Sequence, residues 1–176
     1  MELLDVIDEN GNLTGEVMER GKIHELNLWH HHVFAWIMNN NGMILLQQRA
    51  LSKKASPGKW SRTGGHVDAG ESCDEAIKRE VFEEIGLVVE RIKRFEIFKS
   101  LDPNEHYITY GYIIFTDKRE NEFKLQKDEV NSVRYYSIEE LERIREQGDN
   151  NYSLNGWSDE YFNEQIHLLK EYRARL

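Results

Sequence analysis

Short apolar runs broken by turn residues fill the first half of the chain. Residues 3–7 are largely apolar and run into Glu9-Asn10-Gly11-Asn12, which predicts a strand and a turn. Residues 33–38 are apolar and aromatic, 39–42 read Asn-Asn-Asn-Gly, and 43–46 are apolar again. That is a hairpin signal, with Gly42 able to supply a positive φ. The polar, basic stretch 50–59 holds Pro57-Gly58 and predicts a loop. A helix is predicted from about Ser72, because Ser72 and Glu75 form an S-x-x-E capping box and Gly86 stands as a natural stop. Residues 88–98, 107–115 and 133–136 are rich in β-branched and aromatic side chains and predict strands. Residues 138–146 predict a short helix and 159–173 a C-terminal helix with apolar residues near helical spacing, joined by a polar loop over 148–156. No repeat, low-complexity tract or linker interrupts residues 1–176, so a single domain of mixed α/β (α+β) layers is expected.

Composition narrows the partners. Hydrophobic residues make up 39% of the 176, enough for one core, and the net charge is −9. That charge disfavours nonspecific attraction to nucleic acid or to an anionic membrane. A small anionic substrate stays open, because a local metal can capture it. Cys73 has no second cysteine to pair with, which fits a reducing compartment. The acidic start MELLDVIDEN lacks the apolar run of a secretory signal, and no stretch approaches the apolar length of a membrane span. A soluble cytoplasmic protein is expected, with neither stable nucleic-acid binding nor membrane attachment; a homodimer stays open.

The chemistry concentrates in residues 65–87. Glu80, Glu83 and Glu84 stand at i, i+3 and i+4, which puts three carboxylates on one helix face. Like charges that close repel and raise one another's pKa values. A hard divalent cation offsets the repulsion, since Mg2+ prefers carboxylate oxygens and water.

The same stretch resembles the Nudix box, the signature of the Nudix hydrolase superfamily, at Gly65, Glu71, Arg79, Glu80, Val81, Glu83, Glu84, Gly86 and Leu87. The resemblance implies an α/β/α sandwich around a mixed sheet, with the box as a loop–helix–loop. It implies a hydrolase that cleaves a diphosphate linkage by metal-assisted attack of water. By resemblance, Glu80, Glu83 and Glu84 are metal ligands for Mg2+, with Mn2+ as the alternative, and Gly64 gives its carbonyl to the metal. Glu71 pairs with Arg79 to support the site, framed by Gly65 and Gly86. Glu129, from a later loop, fits a further ligand or general base, with Asp128 as second choice. Arg49, Lys53, Lys54, Lys59 and Arg62 make the loop before the box basic. Of these Arg49, Lys59 and Arg62, together with His66, are the candidate substrate contacts. Trp36, Trp60, Tyr107 and Tyr110 are candidates to stack on a base, or core residues.

A second resemblance is to the isopentenyl-diphosphate isomerases of Nudix fold. It runs through residues 24–36 and LLQQRALSKKASPGKW at 45–60, then the GHV and AGES segments. His24, His30 and His66 match that family's metal-binding histidines. The match fails at the isomerase acid–base pair. Thr63-Gly64-Gly65-His66 lacks the cysteine, Cys73 lies in the helix start, and Ile108 and Tyr110 stand where the glutamates belong, with Glu105 reached only by a shifted register. A hydrolase of the isomerase-like branch is expected, acting on a nucleoside di- or triphosphate or a related derivative. An isomerase and a non-catalytic nucleotide-sensing module are the alternatives. Pro103, sixteen residues past the box, has a spacing associated with ADP-ribose hydrolases and also suits an ordinary Asp-Pro turn.

Overall fold

The computed structural model describes residues 2–102 and 105–176, without the side chains of 100–102 and 105. Pro103 and its turn, and the Glu105 side chain, therefore lie outside the described residues. Strand β1 (Leu3–Ile7) pairs antiparallel with β2 (Leu13–Glu19), and helix α1 (Arg20–Glu25) follows. Leu4 and Val6 of β1 close on Ile23 of α1, a small core of their own.

Strands β3 (His30–Asn39), β4 (Ile44–Arg49), β5 (Trp60–Ser61), β6 (Thr63–His66), β7 (Arg91–Asp102), β8 (Glu105–Thr116) and β9 (Val130–Tyr136) form a seven-stranded sheet. Its main order is β5-β4-β3-β8-β7, with β6 on β3 and β9 on β4. β3 and β8 run parallel and the remaining pairs antiparallel, so the sheet is mixed.

Alternation along β3 divides two cores. Val33, Ala35 and Ile37 pack against Ala76, Ile77, Val81 and Ile85 of α2 (Cys73–Ile85). Phe34, Trp36 and Met38 pack against Ile138 and Leu141 of α3 (Ile138–Gln147) and Phe162, Ile166 and Leu169 of α4 (Asp159–Arg173). The result is helix, sheet, helix in layers. The capping box forms at both ends of its reach: the Glu75 amide donates to Ser72 Oγ at 3.3 Å and the Ser72 amide to Glu75 Oε2 at 3.0 Å. Gly86 closes α2 at φ +66°, a left-handed conformation that glycine adopts without penalty.

The sequence pattern misplaces several edges. β3 begins at His30, not residue 33, because three histidines carry the strand before its apolar run starts. β9 begins at Val130 and β7 at Arg91, and residues 87–90 are irregular. β2 and α1 go unpredicted: β2 is exposed nearly throughout and α1 has six residues, so neither carries a periodic signal. Within the expected 148–156 loop, Ser153–Gly156 forms a short 3-10 turn that buries Leu154. Among the described residues, no helix is long and apolar enough to cross a membrane.

Candidate active site

Where β6 meets α2, the surface opens into a cleft of about 740 Å³. Glu80, Glu83 and Glu84 enter it from one face of α2, as their spacing requires. Their environments differ. Glu84 is 7% exposed and accepts from Gln47 Nε2 at 2.8 Å. Burial, reinforced by the Glu80 charge, pushes its carboxyl up to about 8 against the Gln47 bond. Burial also raises Glu80, opposed by Arg79. The Glu80 carboxylate lies directly against Gly65, so a Cβ at residue 65 would push that carboxylate out of its present place. Glu83 is the exposed member, with 52% of its side chain open.

Arg79 ties this group together. Its guanidinium binds Glu71 twice, Nε to Oε1 at 3.0 Å and Nη2 to Oε2 at 2.9 Å, and donates to the His66 carbonyl at 3.1 Å. Nη1 reaches Glu80 at 2.8 Å and Glu83 at 3.3 Å. Glu71 in turn accepts from the Asp68 amide at 3.2 Å. The loop before α2 is thereby fastened to the helix.

Of the imidazoles, His66 and His32 line the cleft, and His66 belongs to a cluster with His24 and His30, which are outside the lining. The stacked rings of His24 and His30 are 5.1 Å apart and those of His30 and His66 5.3 Å. One ligand atom from each of the three lies within 4.8 Å of the others. His30 Nδ1 donates to the Leu28 carbonyl at 3.2 Å, while its Nε2 is buried without a hydrogen-bond partner. Burial drives His30 down to about 4 and His32 to about 3. These imidazoles are neutral at pH 7, the form that binds metal. His66 Nδ1 lies 3.3 Å from Glu2 Oε1, and that hydrogen bond, with help from Arg20 against burial, holds the Glu2 carboxyl down at about 2.

The other expected residues divide. Gly64, Arg49, His66 and Glu129 line the cleft, and Lys53 pairs with the Glu129 carboxylate. Asp128, Lys59 and Arg62 are outside its lining. Arg62 turns toward α4, over the Phe34 ring at 3.5 Å and Trp157 at 4.3 Å, and donates to Tyr161 Oη at 3.1 Å. Trp36 is core, its indole N–H donating to Gln165 at 2.7 Å, and Trp60 packs on Tyr136 and Tyr152. Tyr107 pairs across the sheet with His30 and Thr109 with His32, while Ile108 and Tyr110 pair with His31 and Val33 on the other face. Pattern reading missed Glu2, Arg20 and Gln126, all part of the cleft, which His32 lines as well from the strand face it shares with His30. Gln126 is held there by a long-range hydrogen bond, its amide donating to the Glu84 carbonyl at 3.0 Å. The rest carry no local signal.

Cys73 sits at the start of α2, packed against the core under the helix and outside the cleft lining. Burial, then Asp74, raises its thiol to about 11, so it is not a thiolate nucleophile at neutral pH. Cys73→Ser is expected to leave steady-state turnover unchanged within error; a large loss would bring the thiol into the chemistry.

The family model for the NUDIX domain matches residues 28–155. The chain is 32% identical over 150 residues to an uncharacterised Nudix hydrolase of Listeria monocytogenes, covering 85% of this chain and 88% of that protein. It is 34% identical over 141 residues to the isopentenyl-diphosphate Delta-isomerase of Pectobacterium atrosepticum, covering 77% and 76%. The crystal structure of DR0079 from Deinococcus radiodurans shares the fold, with a TM-score of 0.68 at 21% identity over 82% of this chain and 90% of that one.

Proposed function

The chain belongs to the Nudix hydrolase family, and on that premise we propose that residues 1–176 act as one cytoplasmic domain that hydrolyses a diphosphate linkage. The substrate class is a nucleoside di- or triphosphate or a nucleoside-diphosphate derivative. Glu80, Glu83, Glu84 and the Gly64 carbonyl hold Mg2+ or Mn2+. The observation that carries this reading is that Glu80, Glu83 and Glu84 open into the same cleft as Arg20, Arg49 and Lys53. Acids for a cation and cations for phosphate are what a metal-bound diphosphate needs.

A bound divalent cation neutralises the charge that develops when water attacks phosphorus in line. The chain's own residues do the rest. Arg20, Arg49 and Lys53 hold phosphate oxygens through charge-assisted hydrogen bonds. Glu129, which lines the cleft beside Lys53, accepts the proton of the attacking water. Arg79 keeps its place through Glu71 when Glu80 and Glu83 turn toward the cation.

The isomerase alternative draws support from His24, His30 and His66, which fit a borderline cation of the Zn2+ or Co2+ kind. Against it stand Cys73 outside the cleft and Tyr107 and Thr109 as the β8 partners of His30 and His32. On a hydrolase the trio is an accessory metal centre beside the acidic face.

A Mg2+-dependent product assay over nucleoside di- and triphosphates, ADP-ribose and isopentenyl diphosphate tests the reading. Cleavage of a diphosphate that stops on chelation is expected. Tight nucleotide binding without turnover would point instead to a sensing module, and isomerised product without phosphate release to an isomerase.

A further inference from the structure

We propose that Glu2 is the positioning residue of the His24–His30–His66 centre, accepting the Nδ1 proton of His66 and so turning Nε2 toward the other two rings. This rests on the reading of the three histidines as metal ligands. An imidazole has two nitrogens, and the hydrogen bond made by one fixes which is free to bind metal. His30 has this done for it by the backbone, through Nδ1 and the Leu28 carbonyl at 3.2 Å, which leaves Nε2 buried and unbonded. His66 has the same arrangement with a side chain as the acceptor: Glu2 Oε1 lies 3.3 Å from its Nδ1.

Glu2 is itself held. Its other oxygen takes Arg20 Nη1 at 3.1 Å, and its carbonyl takes the Arg20 amide at 3.0 Å. β1, which begins at the next residue, is fastened to the loop that follows His66. Leu4 bridges Asp68, the Ala69 amide donates to the Leu3 carbonyl at 2.8 Å, and the Gly70 amide to Asp5 Oδ2 at 2.7 Å. The carboxylate and the imidazole it orients are thus carried on segments stitched to one another, the rigidity that a supporting ligand shell needs. An exposed Glu2–Arg20 ion pair with no further role would not require Glu2 to face the 11%-exposed His66 side chain.

Co2+ titration of the full chain, followed by its visible absorption bands, tests this. The component of interest is the one that His30→Ala removes. Glu2→Ala should weaken that component by about 10–100-fold, and Glu2→Gln, which keeps an acceptor oxygen without the charge, should weaken it less. Melting curves without metal check that both variants fold, and Glu2→Gln carries the test if Glu2→Ala does not. A His30-dependent Co2+ signal with wild-type affinity in both Glu2 variants overturns the role of Glu2 and leaves the histidine centre standing. No His30-dependent signal in the wild type overturns both.

Discussion

Glu83→Gln is expected to abolish hydrolysis while leaving the fold intact. Of Glu80, Glu83 and Glu84 it is the most open, 52% exposed, and it makes a 3.3 Å ion pair with Arg79. Exposed pairs of this kind contribute about 0–1 kcal/mol, so the melting temperature in metal-free buffer should barely move. Function has no such margin. An amide keeps the shape but loses the charge that a hard cation selects for. Losing about 3 kcal/mol of charge stabilisation in the transition state lowers the rate about a hundredfold or more. Product release in Mg2+, measured beside a thermal melt, separates the two effects. Turnover near that of the wild type would remove this face of α2 as the metal site.

What the sequence made legible was local. Glu80, Glu83 and Glu84 fall on one face because helix geometry converts spacing into direction without help from the rest of the chain. The Ser72–Glu75 capping box and the Gly86 stop are equally local, each a hydrogen bond or a dihedral set within a few residues. The rest of the cleft is different in kind. Glu2 and Arg20 reach the cleft only because β1 docks on residues 68–70, a pairing across more than sixty positions that no periodicity announces. Arg49 and Arg62 show the limit most clearly, since both belong to the same basic segment. Arg49, at the end of β4, lines the cleft, whereas Arg62, between β5 and β6, turns to the α4 face and stacks on Phe34 and Trp157. Composition marks both as cations; only the strand directions separate them. The histidine run is intermediate: alternation on a strand places His30 and His32 on one face, but the approach of His24 and His66 needs α1 and β6.

Glu84→Gln is expected to raise stability and remove activity together. The folded carboxyl titrates near 8, above its ordinary 4.5, because burial and the Glu80 charge disfavour the ionised form. In the unfolded chain it ionises at its ordinary value. Between about pH 4.5 and 8 the folded state therefore keeps a proton that the unfolded state releases, and stability falls as pH rises through that window. Glutamine has no proton to lose and can still accept the Gln47 bond. The variant should match the wild type near pH 4, gain on it as pH rises, and hold a constant lead above pH 8. Mg2+ should close that gap at pH 8 by stabilising the ionised wild-type carboxylate, and should not act on the variant at this position. A carboxylate that weakens the empty fold and is required for turnover belongs to a ligand site. A variant less stable than the wild type at pH 8 would show instead that the charge at Glu84 supports the fold, and the acidic face would then be a structural device.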